Sequence, residues 1–98
     1  MLGQLEDLGQ GNFALRGELD VHSATILWAE AKRLFKEQAP MKIDLSHVSR
    51  SDSAGVALLV EWLRNARTQQ WSLQFVNVPP QMLAIINVAD LEELLPMA

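Results

Sequence analysis

The chain has 98 residues, 49% of them apolar and 20% charged, with a formal net charge of -4. That length suits one compact domain spanning 1–98, able to bury roughly two-thirds of the surface its unfolded form exposes, and the balance of residues is that of a folded chain rather than a disordered one. The eight Lys and Arg residues are scattered, no apolar run approaches the ~20 residues of a membrane span, the N-terminal segment lacks a signal-peptide pattern, and there is no cysteine; nucleic-acid binding, direct membrane insertion, disulfides and thiolate chemistry are therefore set aside, and a cytoplasmic location is expected.

The segment "QLEDLGQGNFALRGELD" holds two short apolar-polar runs on either side of Gly9-Gln10-Gly11-Asn12. Glycines at that point supply the positive φ angles of a tight turn, which predicts a hairpin with strands near 3–8 and 12–17. After Asp20 the apolar spacing changes to three and four: Ala24, Leu27, Trp28, Ala31, Leu34 and Phe35 recur as one face of a helix, with Ile26 off that face. Glu18 and Asp20 read as turn and cap residues, and Trp28 as an edge residue of the helix's core face.

"MKIDLS" (41–46) is short, apolar at Ile43 and Leu45, and follows Pro40, as a buried strand would. Residues 47–52 read as a loop at its C-terminal end. A second helix is expected from Ser53 to about Thr68, and then "WSLQFVNV" (71–78) alternates as a strand with Trp71, Leu73 and Phe75 on one side. Pro79-Pro80 stops that strand, 81–88 reads as a third helix, and "LEELL" (91–95) as a last helical turn or two. The order β-β-α-β-α-β-α-α gives an α/β fold, a small mixed sheet layered with about four helices. In such folds functional groups collect at the C-terminal ends of strands, where Asp52-Ser53 falls.

Several chemistries fit a serine at that junction. As an N-cap, its oxygen would satisfy orphan N–H groups of the second helix, a contribution of about 1 kcal/mol. As a nucleophile it would need a base, yet "SDSAG" lacks the first glycine of the G-x-S-x-G elbow, and the only histidines, His22 and His47, have no evident orienting acid. Neither histidine has companions at metal-ligand spacing, and no lysine-bearing, glycine-rich phosphate loop is present. The sequence thus indicates no catalytic residue, metal or cofactor. Phosphorylation of Ser53 is physically sensible, because a phosphate at a helix N-terminus meets free N–H groups and the positive end of the macrodipole.

On the second helix, Val56, Leu59, Val60, Leu63 and Ala66 form an inward stripe, with Leu58 and Trp62 on one flank. Either both flank residues pack under a neighbouring helix or they belong to an interface, where Trp is an enriched anchor. In the second case the small side chains of Ala54 and Ala57 let a partner approach closely beside Ser53. The candidate partner-binding set is Ser53, Ala54, Ala57, Leu58 and Trp62.

The spacing of "GELD" (17–20), "IDLS" (43–46) and "SDSAG" (51–55) resembles the STAS domain family, to which bacterial anti-sigma factor antagonists and the tails of sulfate transporters belong. The likeness covers nearly the whole chain. In the antagonists the residue matching Ser53 is phosphorylated by a partner kinase that doubles as the anti-sigma factor; here Ala54 departs from their usual D-S-S-G. "IDLSHVSRSDSAGVALL" is similar, almost residue by residue, to the small STAS subunits (MlaB) of the maintenance-of-lipid-asymmetry ABC transporter. That resemblance implies a non-catalytic subunit that binds the transporter's ATPase, within a complex with permease and lipid-binding subunits at the inner membrane, and supports phospholipid transport between the bacterial membranes. It also implies that the position of Ser53 belongs to the ATPase-contacting surface. A transporter subunit and a phosphorylation-controlled switch in transcription both remain open.

Overall fold

A computed structural model describes residues 2–35 and 40–97. The described residues form a four-stranded sheet in the order β1-β2-β3-β4, with β1 at Gln4–Gly9, β2 at Asn12–Leu19, β3 at Met41–Ser51 and β4 at Leu73–Val76. β1 pairs antiparallel with β2; β2 with β3 and β3 with β4 are parallel. Three helices complete it: α1 at Val21–Leu34, α2 at Ser53–Gln69 and α3 at Pro80–Val88. The mixed α/β sheet expected from the sequence is present, with one helix fewer. Residues 91–95 make a single turn, closed by Leu94 N–H and Leu95 N–H donating to the carbonyl of Leu91.

The hairpin turns through Gln10 and Gly11, both at positive φ (56° and 82°), as a two-residue turn matched to the strands' twist requires. The largest departure from the sequence reading lies in 47–51, which is strand rather than loop. β2 runs on to Leu19 and keeps β3 paired alongside it, through Arg16 with His47, Gly17 with Val48, Glu18 with Arg50 and Leu19 with Ser51. Register shifts between Ala14 and Arg16 and between Gly17 and Glu18 insert extra residues into β3. The inward positions of β3 are consequently 41, 43, 45, 48 and 51, and the lost alternation made the segment look like loop.

β4 is shorter than the 71–78 read from alternation because its first two residues serve other bonds. Gln70 adopts the left-handed conformation (φ 61°) that ends α2, and Trp71 N–H donates to the carbonyl of Ala66 as part of that cap. The carbonyl of Ser72 accepts from Met41 N–H at 2.8 Å. On the far edge of β4, Phe75 N–H donates to the carbonyl of Pro96 at 2.8 Å, and Phe75 bridges Met97 in parallel.

The core lies between the sheet and the helices. Phe13, Leu15, Ile43, Leu45, Leu59, Phe75 and Ile86 are fully buried. Phe35 links Phe13 to Trp62 by two edge-to-face contacts, with centroids 4.9 and 5.4 Å apart. α1 begins at a reciprocal capping box: Asp20 accepts from Ser23 N–H at 2.9 Å while Ser23 Oγ accepts from Asp20 N–H at 2.9 Å, so Asp20 is the cap its sequence position indicated.

Two carboxylates are held below the usual range. The backbone N–H of Ser23 does this for Asp20, and the backbone N–H of Ser46, aided by the side-chain amide of Asn77, does it for Asp44. A depressed carboxyl binds its proton later in the folded chain than in the unfolded one. Its contribution is therefore present above the unfolded value and lost as pH falls through the folded one. Thermal melts between roughly pH 5 and pH 3 should show a falling melting temperature, with a shallower slope in Asp20→Asn/Asp44→Asn; an unchanged slope would show that other groups carry the acid sensitivity.

Candidate docking surface at the start of the second helix

β3 ends at Ser51, α2 begins at Ser53, and a single residue joins them. Asp52 has extended dihedrals (φ -104°, ψ -169°), and its carboxylate accepts from Ala54 N–H at 2.8 Å. It is the N-cap. The sequence reading gave that duty to Ser53, one residue too late: Ser53 is already the first helical residue, exposed, and its hydroxyl bonds no other described residue. Asp and Ser cap equally well, so residue preference could not decide between neighbours. Because the cap is Asp52, the Ser53 hydroxyl is available for something other than holding the helix.

The junction is packed tightly from beneath. Ser51 is 2% exposed, and its hydroxyl donates to the carbonyl of Asp52 at 2.9 Å. A Cβ on Gly55 would fall directly on Ser51 Oγ and lie 2.9 Å from Leu19 Cβ. The glycine two residues after Ser53 is thus required by the close approach of α2 to the ends of β2 and β3.

Of the five residues singled out as partner-binding, the structure brings Ser53, Ala54 and Ala57 together at the surface and turns the other two inward. Leu58 is 4% and Trp62 1% exposed. Trp62 packs on Phe35, and Leu58 and Trp62 both belong to the core, so the flank of α2 is covered from the α1 side; Leu58 reaches the surface only as part of a groove wall. The wheel placed both off the centre of the inward stripe; α1 extends the buried arc around to meet them.

What remains outside is a ridge with two small residues at its start and an acid one turn further on, between two grooves lined mostly by apolar side chains. Ser53, Ala57 and Glu61, spaced by four, form the exposed crest. Between α1 and α2 lies a groove of about 370 Å³ walled by Val21, Ala24, Thr25 and Trp28 from α1 and by Ala54, Ala57, Leu58 and Glu61 from α2. Between α2 and α3 lies a second, of about 260 Å³, where Ser53, Val56, Ala57, Val60 and Glu61 face Ile85, Ala89 and Leu91. Sequence reasoning missed Val21, Trp28 and Glu61 as members of this face. Val21 is 69% exposed and lies in the first turn just after the α1 cap, in line with Trp28 at the edge of the apolar stripe. Trp28 is half-buried, with Lys32 Nζ 5.1 Å from its ring centroid.

The family model described as "Mlab, STAS domain" matches residues 6–96. The chain belongs to the STAS domain family. Among solved structures, this STAS domain is 30% identical to a chain of the Acinetobacter MlaFEDB complex in its ATP-bound Vtrans1 conformation, with a TM-score of 0.81 over 95% of this chain and 98% of that one. The unphosphorylated anti-sigma factor antagonist SpoIIAA shares the fold at 23% identity (TM-score 0.72, covering 98% and 87% of the two chains). Among curated proteins, the anti-sigma-B factor antagonist of Bacillus subtilis (strain 168) is 26% identical over 84 residues, 86% of this STAS domain and 77% of that protein. Among the described residues no helix is long and apolar enough to cross a membrane.

Three substitutions separate the packing and capping roles. Gly55→Ala should lower unfolding free energy by about 1–3 kcal/mol in urea, although alanine is the better helix former, because the added methyl has no room; increased stability would show that the junction yields easily. Asp52→Ala should cost about 1 kcal/mol, while Ser53→Ala should be within about 0.5 kcal/mol of the parent. Equal losses from both would return part of the cap to Ser53.

Proposed function

We propose that this STAS domain is a non-catalytic subunit that docks on the ATPase of an ABC transporter moving phospholipid between the bacterial membranes, so supporting outer-membrane lipid asymmetry. It works on the cytoplasmic side, held at the inner membrane through the complex with ATPase, permease and lipid-binding subunits. The carrying observation is the 30% identity and near-complete mutual coverage with a chain of a transporter complex. The surface supports it: the small side chains of Ser53 and Ala57 on the crest, flanked by two grooves lined mostly by apolar residues, let a protein face approach closely.

The contact set consists of Ser53, Ala54 and Ala57 at its centre, with Trp28 and Val21 on the α1 side and Ile85 on the α3 side. Leu58 and Trp62 support it from below. Ala57→Glu places a charge on the crest between the grooves and should abolish co-purification with the ATPase, a loss on the order of 2–5 kcal/mol, while the free domain melts as before. Trp62→Phe, beneath the surface, should keep binding. If Ala57→Glu co-purifies normally, the ATPase docks elsewhere.

Ser53→Asp tests the same surface more gently. Its carboxylate suits the first turn of a helix, so stability should hold, but the charge must be desolvated on docking and binding should fall. ATP hydrolysis should require the partner; turnover by the purified domain that disappears in Ser53→Ala would contradict the non-catalytic reading.

A second reading rests on the exposed, uncommitted hydroxyl of Ser53 and the 26% identity to an anti-sigma factor antagonist: a partner switch controlled by phosphorylation at Ser53. Incubation with a cognate serine kinase and ATP distinguishes the two, because the switch requires a phosphate on Ser53 that releases the kinase, whereas the transporter subunit binds the ATPase without one.

A further inference from the structure

β4 pairs with β3 only as far as Asp44, opposite Val76. Beyond that point the side of β3 turned away from β2 has lost its neighbouring strand, yet Ser51, seven residues further on and 2% exposed, still has a backbone N–H and C=O on that side. Both are met by one side chain. Ser51 N–H donates to Gln81 Oε1 at 2.9 Å, and Gln81 Nε2 donates to the carbonyl of Ser51 at 2.6 Å. A carboxamide is the one side-chain group that offers an acceptor and a donor in this arrangement, as a peptide unit of an adjacent strand would. Gln81 is the second residue of α3, so the pair of bonds joins α3 to the β3–α2 junction across 30 residues of sequence.

We propose that Gln81 is the positioning residue of the docking surface. It acts through Ser51, fixing the backbone that carries Asp52 and Ser53 and holding α3 beside it, so that the groove shared by Ser53, Ala57 and Ile85 keeps one shape. Its role in binding rests on the docking reading above; its hold on the junction does not.

The test uses the full chain, with backbone amide exchange read by NMR on the free protein and affinity for the purified ATPase subunit read by titration. Gln81→Met keeps the length but loses both bonds, and Gln81→Glu keeps only the acceptor. Leu5→Val, a small core loss under α1 far from the junction, controls for general destabilisation. In Gln81→Met, Ser51 N–H should exchange about tenfold faster or more, the Asp52, Ser53 and Ala54 resonances should shift, and affinity should fall about tenfold, with Leu5→Val binding close to the parent. Gln81→Glu should bind no better than Gln81→Met, since its carboxylate opposes the Ser51 carbonyl.

An unchanged Ser51 exchange rate overturns the proposal. So does a freed Ser51 amide with undiminished affinity, or an equal loss of affinity in Leu5→Val. Should the parent itself not bind the ATPase, the docking reading fails, and the exchange data on the free chain decide the hold on the junction by themselves.

Discussion

Leu19 and Ser51 end two adjacent parallel strands side by side, and most of what is distinctive in this molecule follows from that pairing. Each strand passes through one aspartate into a helix: Leu19 to Asp20 to α1, and Ser51 to Asp52 to α2. Because the strand ends are adjacent, the helix starts are adjacent too, and Asp52 N–H donates back to the carbonyl of Leu19 at 3.1 Å, tying one exit to the other. Gly55 then lets α2 settle onto both strand ends. A shift of either strand by one residue would separate these contacts and turn the crest of α2 away from α1.

The parts of the fold legible in the sequence were those with an uninterrupted period. α1 keeps its three-and-four spacing from Ala24 to Phe35, and the hairpin announces itself by glycine on both sides of Gln10. Interrupted periods misled. In β3 the bulges shift the inward positions from a spacing of two to a spacing of three, and no residue in "HVSRS" carries a mark of pairing to a strand distant in the chain. The cap of α2 was obscure for a different reason, since two good capping residues stand in succession and only the backbone angles distinguish them.

The candidate docking surface was half legible. Small residues beside Ser53 could be read as a site of close approach, and that is where the exposed crest stands. The burial of Trp62 could not be read, because it depends on Phe35 arriving from the end of α1 to form a chain of rings with Phe13. A wheel assigns a direction to each side chain but says nothing about how many neighbours surround the helix. With α1 on one side and α3 on the other, α2 exposes only a narrow strip, and the aromatic residue best suited to be an anchor by composition is spent on the core.

The two margins of the sheet are protected by unlike means. β1 carries Glu6 and Asp7, charges that discourage another strand from adding there. β4 is only four residues long and leans on the backbone of Pro96 and Met97, which occupies the hydrogen bond a foreign strand would otherwise take. Residues 96 and 97 thereby complete the edge of the sheet: whatever draws them aside leaves the Phe75 amide open on the border of β4, with only the shortness of that strand to discourage another from pairing there.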